Sequence, residues 1–161
     1  MKTILFVCTA NICRSPMAMA LLRDSIGRMG LADQVAVASA GIWAQNGRPA
    51  SREGISLLAD REISLAEHRS QPMTAALLEQ ADIVLVMEEA HLRSLFYVAP
   101  HLLGKVFLLT EMAGEYDDVE DTYGGTNEDY RRTIATLDRL LDAGLPQILR
   151  RIGVKTPNVG R

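Results

Sequence analysis

A thiol at Cys8 and a guanidinium at Arg14 bracket the segment Thr9-Ala10-Asn11-Ile12-Cys13, with Ser15 and Pro16 immediately after. The apolar run Ile4-Leu5-Phe6-Val7 leads into it, and Met17-Ala18-Met19-Ala20-Leu21-Leu22 leads out. The first run reads as a strand and the second as a helix, because proline is tolerated in a first helical turn, where its missing N–H costs nothing. The turn between them therefore ends at a helix N-terminus. Backbone N–H groups converge there and the peptide dipoles add partial positive charge, so an oxyanion is favoured. The same field lowers the pKa of a thiol from about 8.5 by one to several units, which favours the nucleophilic thiolate at Cys8. A cation is disfavoured at that end, so Arg14 needs an anion to explain it; its planar fork matches two phosphate oxygens. A lone cysteine after an apolar strand is more often a small buried hydrophobe. Here the full order of thiol, turn, guanidinium, serine and proline points to phosphoryl transfer with Cys8 as nucleophile.

The elements that must position this turn follow from periodicity. Strands are expected near residues 2–8, 35–39, 83–87 and 105–109. Helical spacing fits 16–29, 49–60, 74–80 and 89–98. A terminal helix is expected through Tyr130, Ile134, Leu137, Leu141, Leu145, Ile148 and Ile152, kinked or broken by Gly144 and Pro146. Strands alternating with helices predict an α/β fold with a parallel sheet, and ligands of such sheets sit beyond the carboxyl ends of the strands. The Cys8 turn lies at that edge.

The chain has 161 residues, of which 48% are hydrophobic, and a net charge of -3. That suits one domain with a sizeable core. The acidic balance and the lack of a Lys/Arg cluster argue against nucleic acid. No signal segment opens the chain and no apolar stretch reaches the ~20 residues of a membrane span, so a cytoplasmic protein without membrane insertion is expected. Its two cysteines, Cys8 and Cys13, are too few for a disulfide scaffold. With the histidines scattered at 68, 91 and 101, no metal centre or other cofactor is expected.

The Cys8–Ser15 stretch resembles the active-site loop of the low-molecular-weight protein tyrosine phosphatases, bacterial type. Further anchors fall in that family's order: Ser39-Ala40-Gly41, Ala81 to Glu88, and Asp121-Thr122-Tyr123-Gly124-Gly125. The resemblance covers about residues 2 to 152, and implies a single phosphatase domain over 1–152. The tail 153–161 is expected to be mobile. It implies a three-layer, Rossmann-like fold with four parallel strands in the order 2-1-3-4. It also implies a phosphorylated protein substrate, inhibition by inorganic phosphate or similar oxyanions, and a monomer.

The resemblance assigns roles residue by residue. Thr9, Ala10, Asn11, Ile12, Cys13, Arg14 and Ser15 form the phosphate-binding loop. Asp121 is the general acid and then the base, although its acidic neighbourhood (Glu115, Asp117, Asp118, Glu120) would by itself read as a solvated loop, with Asp118 as the fallback. The family has proline after this aspartate; Thr122 stands here and should allow the loop more freedom. Ser15 donates to the Cys8 thiolate, or caps the helix. Asn11, Ser39 and His68 brace the loop, with Asn11 in a left-handed conformation. For His68 a surface or packing role is an alternative.

Trp43 and Tyr123 form walls for a flat substrate ring, or else cover the core from a loop. Cys13 either packs or traps an oxidised Cys8 as a disulfide. The family's scaffold also carries protein-arginine phosphatases, in which a threonine replaces the residue at Ile12; the apolar Ile12 therefore favours phosphotyrosine. Against this, Asn46-Gly47, Ala81-Asp82 and Tyr123-Gly124-Gly125 resemble the bacterial arginine-directed relatives, so phosphoarginine is the runner-up. Related arsenate reductases need later thiols that are missing here. A non-catalytic phosphate-binding module is a further alternative.

Overall fold

The computed structural model describes residues 1–157. The apolar run near the start forms β1 (Lys2–Cys8), followed by α1 (Arg14–Arg28), β2 (Val35–Gly41) and α2 (Arg52–Ala59). Then come α3 (Ala75–Gln80), β3 (Ile83–Val86), α4 (Glu89–Val98), a 3₁₀ turn at Pro100–Lys105, β4 (Val106–Leu108), α5 (Leu109–Met112) and α6 (Asn127–Arg151). The four strands are parallel in the order β2-β1-β3-β4, as the resemblance implied. The 3₁₀ turn and the single turn of α5 were not expected; six and four residues are too short to leave a periodic signature.

Alternate residues of the central strands enter two cores. Ile4, Phe6, Ile83 and Leu85 face a layer built from α1, α2, α5 and α6, while Leu5, Val7, Val84 and Val86 face α3 and α4. Burial on both faces explains why β1 and β3 read as continuous apolar runs rather than as alternating ones.

The terminal helix corrects one expectation: α6 runs unbroken through Gly144 and Pro146. Thr126 starts it with a reciprocal cap, its Oγ1 accepting from Asp129 N (3.2 Å) while Asp129 Oδ2 accepts from Thr126 N (2.8 Å). Interior proline costs ~3 kcal/mol. Leu141, Ile148 and Leu149, buried on either side of it, each return roughly 1.5–3 kcal/mol. Pro146 and Asp142 are both exposed, so the carbonyl deprived of its N–H partner faces water. Gly144 belongs to the packing: a Cβ there would lie 2.9 Å from Met112 Cβ, so it lets α6 close onto α5.

After α6 the chain does not detach at once. Val154 is buried in the core, and its N–H donates to Leu149 O at 2.9 Å, so the expected tail begins later than 153. Residues 158–161 of that tail lie outside the described residues.

Candidate active site

The segment from Thr9 to Cys13 leaves β1 at the carboxyl edge of the sheet and enters α1 at Arg14. Most of its carbonyls are tied down by neighbouring donors. Ile42 N, Trp43 N and Ser51 N donate to the oxygens of Cys8, Thr9 and Ile12 at 3.0, 2.9 and 2.8 Å, and His68 Nε2 reaches Asn11 O at 2.8 Å. Among the described residues, no protein acceptor takes the backbone N–H of any residue from Thr9 to Cys13. A loop with its carbonyls engaged and its amides free is a receptor for an anion.

Asn11 makes this shape possible. It takes φ 58°, in the left-handed region that asparagine tolerates. Its Nδ2 donates to Ser15 Oγ and to Ser39 Oγ, both at 2.9 Å, and its Oδ1 accepts from Gln71 N at 3.0 Å. Gly41 lets β2 abut the loop, since a Cβ there would sit 2.7 Å from Thr9 O and 2.9 Å from Asn11 N. The expected bracing set of Asn11, Ser39 and His68 is thus brought together, and Gln71 joins it. His68 carries its proton on Nε2, because a carbonyl can only accept; burial pulls its pKa down, against the bond to Asn11.

Cys8 Sγ lies 2.9 Å from Ser15 Oγ, and both residues are buried. Ser15 sits inside α1 and does not cap it: the N-cap is Cys13, which makes no side-chain cap bond. The Cys13 thiol meets Tyr130 Oη at 3.3 Å. Burial raises the pKa of both groups, so each stays protonated. Cys8 and Cys13 are free and line the same cavity.

Arg14 is 1% exposed, and its fork is already engaged by the protein. Nη1 donates to Val119 O at 2.7 Å, Nη2 donates to Glu88 Oε2 at 2.9 Å, and Asp121 Oδ2 lies 3.6 Å from Nη2. Glu88 thus answers part of the charge that the sequence left for a ligand anion alone. Glu88 also begins α4, where its N–H donates to His91 Nδ1 at 3.1 Å. A backbone N–H cannot accept, so the His91 proton is on Nε2, which donates to Thr9 Oγ1 at 2.9 Å. Burial, reinforced by the Arg14 charge, pushes the pKa of His91 down to about 4, so the ring is neutral. Glu88 and His91 were missed as site residues. The signal was available in Met87-Glu88-Glu89-Ala90-His91, a carboxylate and an imidazole three apart just beyond a strand end.

The acidic segment is strapped to the sheet by Val119, whose N–H donates to Met87 O at 2.8 Å while its carbonyl receives Arg14. That strap brings Asp121 to the cavity. Asp118 goes elsewhere: its Oδ1 accepts from Glu89 N at 2.8 Å, at the start of α4. The turn that has Thr122 in place of proline carries hydrogen bonds of its own. Asp121 Oδ1 accepts from Tyr123 N at 3.0 Å and Gly125 N donates to Thr122 O at 2.8 Å, which restrain the turn without a proline. Thr122 itself is buried and its hydroxyl has no protein partner.

A cavity of about 250 Å³ collects these groups, lined by Cys8, Ile12, Arg14, Asp121, Tyr123 and Arg48, together with Thr9, Ala10 and Cys13. Trp43 is not on its wall. The turn that ties its N–H to Thr9 leaves its side chain 80% exposed, and Arg48 occupies the facing wall instead. No metal-ligating cluster of His, Cys, Asp or Glu occurs among the described residues. The arrangement offers a thiol, an anion cradle, a guanidinium and a half-exposed carboxylate around one small volume, the set required to move a phosphoryl group onto sulfur and then onto water.

Comparison with known proteins points the same way. The chain is 41% identical over 147 residues to the probable low molecular weight protein-tyrosine-phosphatase EpsP of Ralstonia solanacearum, covering 91% of this chain and 96% of that one. It is 40% identical over 139 residues to the protein-arginine-phosphatase of Bacillus subtilis, covering 86% and 91%. A solved mutant of the arginine phosphatase YwlE, with a phosphorylated active-site serine, superposes with a TM-score of 0.86 at 38% identity over 92% of this chain and 95% of that one. The sequence model for low molecular weight phosphotyrosine protein phosphatases matches residues 3–154, and the chain belongs to that family of hydrolases.

Proposed function

We propose that this protein hydrolyses phosphotyrosine in proteins, in two steps through a cysteinyl-phosphate. The observation that carries the reading is the convergence of Cys8, Arg14 and Asp121 on one cavity whose other walls are Ile12 and Tyr123. In the first step the Cys8 thiolate forms a bond to phosphorus as the phosphorus–oxygen bond to the phenol breaks, and Asp121 gives its proton to that leaving oxygen. In the second, Asp121 takes a proton from water, the water oxygen bonds to phosphorus, and the sulfur–phosphorus bond breaks to return thiolate and phosphate. The free amides from Thr9 to Cys13 and the Arg14 fork hold the equatorial oxygens in both steps. The Ser15 hydroxyl stabilises the departing thiolate. Phosphate and similar oxyanions compete for the same cradle. The Cys13 thiol traps an oxidised Cys8 as a disulfide, a role supported by both cysteines lining one cavity. The setting is the cytoplasm, where both thiols stay reduced.

Phosphoarginine is the second reading, favoured by the likeness to arginine phosphatases and by a carboxylate, Asp121, that could pair with a guanidinium. Ile12 supports the first reading, because its apolar side chain matches a phenyl ring and offers a guanidinium no hydrogen bond. Rates on phosphotyrosine and phosphoarginine peptides, for wild type, Cys8→Ser and Ile12→Thr, decide between them. Phosphotyrosine preferred and activity lost with Cys8 is the expected result. Preference for phosphoarginine by wild type overturns it. Tight phosphate binding with no trapped cysteinyl-phosphate from either substrate would leave a binding module.

A further inference from the structure

The active-site cavity does not end at Ile12 and Tyr123. A second groove, about 370 Å³, continues past them between the start of α2 and the Tyr123-Gly124 turn, with Tyr130 also on its wall. Ile12, Arg48 and Tyr123 line both spaces, so these side chains form the shared edge. Arg48 and Arg14 are the two cations around the inner cavity. Arg14 is buried against Glu88; Arg48 is exposed and in no ion pair among the described residues.

The backbone under Arg48 is fixed. Ser70 N donates to Arg48 O at 2.7 Å, Arg48 N donates to Ser70 Oγ at 3.0 Å, and Gly47 N donates to Ser70 O at 2.8 Å. Pro49 follows and restricts the chain further. An exposed arginine is ordinarily just solvated. This one stands on an anchored turn, at the junction of two cavities, without a carboxylate of its own.

We propose that the outer groove is a subsite for the residue next to the phosphorylated side chain, and that Arg48 selects a carboxylate there. The inference rests on the phosphotyrosine reading. Glu53 lines the outer groove but not the inner cavity, so the groove is bipolar. It takes one acidic residue beside the phosphotyrosine and disfavours a second acid further out.

The test uses phosphotyrosyl peptides that differ only in having Asp or Lys directly flanking the phosphotyrosine, and reads the ratio of their kcat/KM values. Wild type favours the Asp peptide by about threefold, the size of an exposed ion pair, and 0.5 M salt reduces that ratio towards one. Arg48→Glu inverts the ratio, and Arg48→Lys keeps it. A ratio unmoved by Arg48→Glu overturns the subsite, including where both peptides slow equally, since that places Arg48 in the chemistry instead. Failure of wild type to turn over either peptide while it hydrolyses phosphoarginine overturns the underlying reading, a separate result.

Discussion

Asp121 shows how a single position acquires a placement that its local sequence does not give it. It is one of several acids in a segment that would ordinarily be solvated, and the Val119 strap is what sets it beside Arg14 at 3.6 Å. Asp121→Asn is expected to cut kcat/KM, which reports the first step, about a hundredfold or more on phenyl or alkyl phosphates, and far less on a substrate with a good leaving group such as p-nitrophenyl phosphate. Wild-type rates on a poor leaving group would sink the assignment. Thr122, its neighbour, has a buried hydroxyl with no protein partner. Thr122→Val removes that hydroxyl at nearly constant shape and strands no other group, so stability should stay or rise by up to ~1 kcal/mol, read as an unchanged or higher urea midpoint. A loss of stability would mean that the hydroxyl is bonded after all.

At the scale of elements, α6 is where propensity and packing disagree. Gly144 lies inside a helix, where alanine is normally favoured by ~1 kcal/mol. Because its added Cβ would meet Met112 Cβ at 2.9 Å, a backbone-proximal atom that cannot swing away, packing decides the sign. Gly144→Ala is expected to destabilise by about 1–3 kcal/mol, read as a lower urea midpoint with an unchanged m-value. The same helix runs on through Pro146 because that residue's face meets water while Leu141, Ile148 and Leu149 beside it are buried. The continuous apolar run of β1 and the helical spacing in α1 and α4 were legible because each is written within a single segment. The α5 turn was not, since it is held by contacts with α6.

For the whole molecule, His91 links the loop after β1 to the start of α4, so its protonation bears on global stability. Its folded pKa of about 4 lies below the unfolded value of about 6.5. The unfolded chain therefore binds the proton first, and stability falls as pH drops through this window, by up to about 3 kcal/mol. Urea unfolding between pH 7 and 4 measures the slope. His91→Asn, which does not titrate, should flatten it, and an identical slope in both proteins would exclude His91 as the source. By itself the sequence determined the βα alternation and the family, and singled out Cys8 as the candidate nucleophile in a candidate anion-binding turn, because these are written in contiguous residues whose spacing carries their geometry. Tertiary structure decided what depends on distant segments meeting: Glu88 and His91 arriving at the loop from β3 and α4, Asp121 chosen over Asp118, and Arg48 rather than Trp43 on the cavity wall. In each case the deciding bond joins groups far apart in the chain, and no local period or propensity encodes which of them will touch.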